Sequence, residues 1–184
     1  PDYYTTQAAA KLGFGEVISV QHHHAHIVSC MAENGLTGEV LGLALDGTGY
    51  GLDSRMWGGE LLRCSLADFE RLGHLRYFGL PGGEKAVLEP WRTGTSLLRM
   101  AYGEDWTSVA VKLGLLPFDV NPAAIETMLA HSLNTPLTSS LGRLCDGVAA
   151  ILGLGRRSHY EGQAPMLLEA CAARQSAPAL VATR

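Results

Sequence analysis

With 184 residues, 47% of them hydrophobic and 17% charged, the chain can bury a core, which excludes a disordered segment and fits one domain or a piece of a larger protein. Fourteen basic residues against 18 acidic ones leave a formal net charge of −4, the wrong sign for a duplex nucleic-acid surface. No apolar run approaches the roughly 20 residues that span a bilayer, so neither nucleic acid nor membrane is expected as a partner.

Pro1-Asp2-Tyr3-Tyr4, without an initiator Met, a basic region or an apolar signal stretch, reads as the start of a piece cut from a longer protein. Val17 to Val20 is a short β-type run leading into a predicted helix from Gln21 to Asn34, which Gly35 closes. Glu39 to Leu45 reads as a strand that breaks at Asp46-Gly47-Thr48-Gly49-Tyr50-Gly51. A second strand, Arg55 to Cys64, follows and makes a hairpin with the first. Strand, helix and paired strands imply an α/β or α+β lobe. From Leu66 the texture turns helical: Trp91–Tyr102, Trp106–Leu113 and Pro122–Leu133, the last with Asn121 as N-cap and Pro122 at the first helical position. An apolar helix is expected over Ser140–Leu154, and Glu161-Gly162-Gln163 opens a final one ending near Arg174. The tail from Gln175 to Arg184 is Ala-rich and featureless. Cys30, Cys64, Cys145 and Cys171 are far apart and sit among apolar neighbours, which predicts reduced, buried thiols and a cytoplasmic home.

Four of the seven histidines fall between positions 22 and 26. On a helix His22 and His26 stack on one face, about 6 Å apart, where two imidazoles can share a metal ion. His23 and His24 point elsewhere, as supporting or helix-end residues. The plainer alternative packs neutral histidines at a strand–helix junction, and four in five positions favours the metal. Asp46 is the best third ligand, because it ends a strand at the sheet edge where sites are usually built. Histidine-plus-carboxylate ligation suits Fe(II), Zn(II) or Mn(II). Gly47, Thr48 and Gly49 are either an anion-binding loop that offers backbone N–H groups or simply a glycine-rich hairpin turn. Asp146, inside an otherwise apolar helix, needs a partner: a ribose hydroxyl in a cleft, or a nearby base such as Arg143.

Taken together, Val20-Gln21-His22-His23-His24-Ala25-His26, Leu45-Asp46-Gly47-Thr48-Gly49-Tyr50-Gly51 and Trp57-Gly58-Gly59-Glu60 resemble the C-terminal transferase region of the HypF family of hydrogenase maturation carbamoyltransferases. Leu80-Pro81-Gly82-Gly83-Glu84, Glu89-Pro90-Trp91-Arg92, Ser139 to Asp146 and Tyr160-Glu161-Gly162-Gln163 are similar to further stretches, in the same order. The resemblance implies an α/β fold of the actin/hexokinase type (RNase H-like). It divides the chain into a first lobe (1–65), a mostly helical insertion (66–138) and the helical start of a second lobe (139–184).

It also implies that His22, His26 and Asp46 hold a divalent metal, Fe or Zn ahead of Mn, over the phosphates of a carbamoyl-adenylate made from ATP. Gly142, Asp146 and Gly162 match positions set against the adenosine, and Gly47 to Gly49 would hold the phosphate. The implied reaction passes the carbamoyl group to a C-terminal cysteine of a HypE-type acceptor, for a cyanide ligand of nickel–iron hydrogenase. Family members are longer, with a second glycine-rich loop and another metal-binding aspartate downstream. These 184 residues are therefore expected to bind metal labilely and to transfer weakly or not at all. Two other readings share the pattern: an O-carbamoyltransferase with a hydroxyl acceptor, and a non-catalytic actin-like binding module.

Overall fold

The computed structural model describes residues 8–9, 11–13 and 17–174; the readings of the first four residues and of the tail from Gln175 lie outside them. The histidine helix α1 spans His22–Glu33. Its start is fixed by Gln21, whose side-chain oxygen accepts from the His24 backbone N–H at 2.8 Å, satisfying one of the free donors of the first turn. Gly35 takes a positive φ of 65° just beyond its end, the conformation that stops a helix most cheaply at glycine.

Two long strands follow, β1 (Val40–Tyr50) and β2 (Met56–Cys64), paired antiparallel. Strand β3 (Phe69–His74) extends the outer half of β2. Two short strands, β4 (Phe78–Gly79) and β5 (Leu137–Thr138), complete a five-stranded mixed sheet in the order β1-β2-β5-β4. β5 runs parallel to β2 at Met56 and Thr138. Helix α1 covers one face, where Ile27 and Met31 pack on Ala44, Leu62 and Cys64. Burying an aliphatic or Met side chain in this way stabilises by roughly 1.5–3 kcal/mol.

The helices form a second layer: α2 (Lys85–Leu88), α3 (Pro90–Tyr102), a 3₁₀ turn (Gly103–Asp105), α4 (Trp106–Lys112), α5 (Pro122–His131), α6 (Leu141–Ile151) and α7 (Gln163–Ala173). Trp91, Leu98, Trp106, Leu115, Ile125 and Ala150 make its core. Asn121 caps α5 by accepting from the Ala123 N–H, and Pro122 occupies the first turn as expected. No helix among the described residues is long and apolar enough to cross a membrane.

Three expectations need correction. Val17–Val20 forms no strand: no ladder partner reaches it among the described residues, and Ile18 and Val20 are exposed. β1 does not break at Asp46 but continues to Tyr50 with a shifted register. Leu45 faces Gly59 and pairing resumes only at Gly49 opposite Trp57, so Asp46, Gly47 and Thr48 bulge opposite Gly58 alone. A bulge bends the strand and re-aims a side chain without ending the ladder. The mostly helical stretch 66–138 also supplies β3, β4 and β5 to the same sheet. Finally, Cys30 is exposed, and Cys145 and Cys171 are half-buried; only Cys64 is fully buried. Apolar neighbours in sequence do not fix which face of a helix a residue takes, and Cys30 lies on the side of α1 that faces an open groove along β1.

A candidate metal and nucleotide centre

The bulge and the histidine helix meet. His22 Nε2 lies 2.9 Å from Asp46 Oδ2, His26 Nε2 lies 3.1 Å from His22 Nε2, and His26 Nε2 is 4.0 Å from the same carboxylate oxygen. One ligand atom from each of His22, His26 and Asp46 fits within a 4.8 Å group. A tetrahedral ion with bonds of about 2.0–2.1 Å would separate its ligand atoms by about 3.3 Å, so the spacing and the two-nitrogen, one-oxygen donor set fit a divalent metal. The spacing argument from sequence thus leads to a real convergence of side chains.

Asp46 is held firmly in place. Its Oδ1 accepts from the Gly47 N–H at 2.6 Å, which leaves Oδ2 to face the histidines. Burial pushes the carboxyl up, but the hydrogen bonds from His22, Gly47 and Thr48 outweigh it and hold the group below its usual range, ionised. From the other side Ser140, the N-cap of α6, directs its hydroxyl at the carbonyls of Asp46 (2.8 Å) and Gly47 (2.7 Å). Gly142, two residues on, comes so close that a Cβ there would sit 2.8 Å from the Gly47 Cα. Helix α6 therefore clamps the bulge from the layer opposite to α1.

Beneath the histidines lies Gly49. A Cβ on it would meet His23 Cε1 at 2.3 Å and His22 Cδ2 at 2.7 Å; only glycine lets the two rings lie on this backbone. Gly49 is thus placed under the imidazoles and away from the neighbouring cavity. His23 is wholly buried and its Nε2 has no hydrogen-bond partner among the described residues, while Asp46 Oδ2 lies 3.8 Å away. Burial above all, then the neighbouring His22, lowers its pKa, with Asp46 and Glu60 opposing, so the ring is neutral. His24 has turned the other way: its Nε2 meets the Ser65 carbonyl at 2.9 Å and its ring stacks on Phe69.

Behind β2 sits a fully buried carboxylate, Glu60. It accepts from the N–H groups of Gly58 and Gly59, from the Ser139 hydroxyl and from Arg71 Nε at 2.7 Å. Arg71 in turn stacks 3.8 Å over the Trp57 ring and donates to Tyr77, which with Trp57 donates to Asp53. Burial alone would push the Glu60 carboxyl up, but its hydrogen bonds, led by Ser139, bring it below its usual range. This network ties β2, β3 and the Ser139–Ser140 entry of α6 together directly behind the bulge.

On the far side of the bulge a cavity of about 250 Å³ is lined by Thr48, Leu88, Arg143, Asp146, Tyr160 and Gly162. The sequence-derived candidates Thr48, Asp146 and Gly162 therefore converge. Gly47 borders it, with Arg143 and Glu161 as nearest side chains. Asp146 is almost fully buried, and that burial pushes its carboxyl up to about 6 against the pull of Arg143. Arg143 Nε is 2.8 Å from Asp146 Oδ2, yet neither atom makes a properly aligned hydrogen bond. The pair is electrostatic, and both retain unused hydrogen-bonding capacity toward the cavity. Gly162 precedes α7 with φ of 79°, a turn few other residues make cheaply.

Sequence reasoning missed the parts played by Ser140, Glu60 and Gln21. The serine had a legible signal, a Ser-Ser pair just before an apolar helix. The buried glutamate had none, because a carboxylate in a strand is ordinarily read as its exposed face.

A model of the HypF Kae1-like domain matches residues 1–33, and one for the second subdomain of the carbamoyltransferase Kae1-like domain matches residues 42–183. The carbamoyltransferase HypF2 of Cupriavidus necator is 45% identical over 94% of this chain, which spans 21% of that protein. A crystal structure of full-length HypF in the phosphate- and nucleotide-bound form is similar at a TM-score of 0.81 and 41% identity, over 91% of this chain and 21% of that one. HypF from T. kodakarensis gives a TM-score of 0.84 at 38% identity, over 95% and 24%. This chain thus spans about a fifth to a quarter of the length of these relatives. The mixed sheet with its helices is an actin/hexokinase-type fold, and the chain belongs to the HypF carbamoyltransferase family, in its Kae1-like domain.

Proposed function

We propose that this chain supplies the metal and nucleotide face of a carbamoyltransferase centre acting in hydrogenase maturation in the cytoplasm. The carbamoyl donor is carbamoyl-adenylate, derived from ATP, and the acceptor is the C-terminal cysteine of a HypE-type protein. The observation that carries the reading is the meeting of His22, His26 and Asp46 within 4.8 Å, one bulge away from the cavity of Thr48, Asp146 and Gly162. In this reading the two histidines and Asp46 are the metal ligands, iron or zinc ahead of manganese. Bound there, the ion supplies Lewis acidity toward the mixed anhydride and its departing phosphate.

The chain's own residues do the rest of the positioning. Asp46 keeps one oxygen on the Gly47 N–H and offers the other to the histidine side. Gly47 and Thr48 form the part of the bulge against which the nucleotide phosphate lies, while Gly49, beyond the bulge, admits the imidazoles and Gly142 admits α6. Asp146, buried beside Arg143, accepts from a ribose hydroxyl at the cavity wall that Gly162 completes. The acceptor thiolate forms a bond to the carbamoyl carbon as the carbon–oxygen bond to AMP breaks, and AMP departs with the electron pair. No nucleophilic cysteine is needed from this chain, since the acceptor supplies the thiolate. Burial pushes the thiols of Cys64 and Cys145 up, away from thiolate.

The test compares wild type with His22→Ala and Asp46→Asn. Metal affinity is read by competition with a chromophoric chelator, and acceptor-cysteine carbamoylation by intact mass. Each variant should lose metal affinity by about tenfold or more and lose transfer with it. Metal binding or transfer that His22→Ala leaves unchanged would overturn the reading.

A further inference from the structure

His23 has a place at the site that neither its spacing nor its family explains. Gln21 fixes its protonation geometry. The Gln21 side-chain oxygen accepts from the His24 N–H at 2.8 Å, and its amide nitrogen donates to the Tyr50 carbonyl at 3.1 Å. A backbone donor on one end and a backbone acceptor on the other leave only one orientation of that amide. The nitrogen so oriented lies 3.1 Å from His23 Nδ1. Nδ1 therefore accepts, and in a neutral imidazole the proton is on Nε2.

That N–H is fully buried and without an acceptor among the described residues, although leaving a buried donor unpaired costs about 1–3 kcal/mol. It faces Asp46 Oδ2 at 3.8 Å, less than 1 Å beyond a normal hydrogen bond. The next residue shows what a satisfied structural histidine looks like here, since His24 bonds Ser65 and stacks on Phe69.

We propose that His23 is a positioning residue for the metal-binding carboxylate. Locked as the Nε2–H tautomer, it donates to Asp46 Oδ2 when His22 Nε2 turns from that oxygen to a metal. The inference rests on the metal reading of His22, His26 and Asp46 given above. At present His22 Nε2 bonds Asp46 Oδ2. A nitrogen that gives its lone pair to a metal cannot also donate to the carboxylate, so Asp46 Oδ2 would lose that donor. His23 N–H replaces it. The same tautomer excludes His23 as a fourth ligand, because the nitrogen nearest the site carries the proton.

Two measurements on the full chain decide the matter. Long-range proton–nitrogen NMR of the metal-free wild type should show His23 with Nδ1 unprotonated and Nε2 protonated; the opposite tautomer would overturn the proposal whatever the variants do. Zn²⁺ titration should then show His23→Leu binding about 10–100-fold more weakly than wild type, the usual effect of losing a ligand's supporting hydrogen bond. His23→Gln, whose amide N–H sits where Nε2–H was, should recover most of that loss. A leucine variant that folds and binds as wild type does, or a glutamine variant as weak as leucine, sinks the positioning role. If the leucine variant does not fold, as thermal melts of the metal-free proteins would show, the tautomer measurement decides alone. A wild-type chain that takes up no Zn²⁺ overturns the metal reading itself, a result distinct from all of these.

Discussion

Replacing Gly49 with alanine adds one methyl group at the point where α1 meets the bulge, and its cost can be worked from the geometry. The new Cβ would lie 2.3 Å from His23 Cε1, 2.6 Å from His23 Nε2 and 2.7 Å from His22 Cδ2. Since real Cβ contacts are rarely tighter than 3.4 Å, the His23 ring must retreat by about 1.1 Å, the difference between 3.4 and 2.3. His23 is fully buried, with Trp57 6.0 Å from it centroid to centroid, so the ring cannot retreat freely. Overpacking of this kind costs about 1–3 kcal/mol. A ligand constellation also tolerates only about 0.5 Å of displacement, so Zn²⁺ affinity should fall at least about tenfold. Gly73→Ala is the control: Gly73 also lies in a strand, but its added methyl would meet nothing within 4 Å. Chemical denaturation and Zn²⁺ competition on both variants provide the assay. A Gly49→Ala protein that matches Gly73→Ala in both stability and metal affinity would refute the claim that this glycine exists to admit the imidazoles.

Three further changes probe the supports. Ser140→Ala removes the cap of α6 together with the hydroxyl bonds to the Asp46 and Gly47 carbonyls; it should lower stability by about 1–2 kcal/mol and weaken metal binding, both measurable in the same titrations. Glu60→Gln leaves Arg71 facing a neutral amide in a buried pair, and breaking such a pair costs about 3–5 kcal/mol. Because the folded Glu60 pKa lies below its ordinary value of 4.5, its stabilisation is present above that value and is lost as pH falls through the lower folded value. Denaturation midpoints should therefore drop less steeply below about pH 4.5 in the variant than in wild type. Asp146 carries the opposite sign, since burial raises its pKa from 3.8 to about 6. The stability linked to its protonated form is present below 3.8 and lost as pH rises through about 6. Asp146→Asn should remove that pH dependence and stabilise the nucleotide-free protein at pH 7 by about 1–3 kcal/mol, while weakening nucleotide binding, as calorimetry with AMP would show.

What the sequence revealed of the fold follows the strength of the local signals. The cap at Asn121 and the stop at Gly35 act within a few residues, and apolar periodicity marks the helix bodies, so helix positions were legible to within a turn even where the caps at Gln21 and Ser140 went unread. Strand pairing is a long-range property. Val17–Val20 has the composition of a strand, but composition cannot show whether a ladder partner arrives. The bulge was illegible for a related reason. Asp46-Gly47-Thr48-Gly49 has the residues of a tight turn, and only the register against β2, Leu45 with Gly59 and then Gly49 with Trp57, shows that the strand passes through it. Likewise no periodicity announces that Thr138, far along the chain, pairs with Met56.

The bulge also settles how the glycines of this region should be understood. Read from sequence, alternate glycines suggest backbone N–H groups aimed at an anion. In the structure the Gly47 N–H is already committed to Asp46 Oδ1, Gly49 lies under two histidine rings, and Gly142 is pressed against the Gly47 backbone. Each is small because something essential passes close by: the imidazoles on one side and the α6 N-terminus on the other. The carboxylate between them is thereby gripped from both layers, by α1 through His22 and by α6 through Ser140. A metal site whose ligands come from a helix and a strand needs that double grip, since an error of 1 Å in either element would separate the ligand atoms. The glycines set how near the two layers can come, and so the ligand spacing itself.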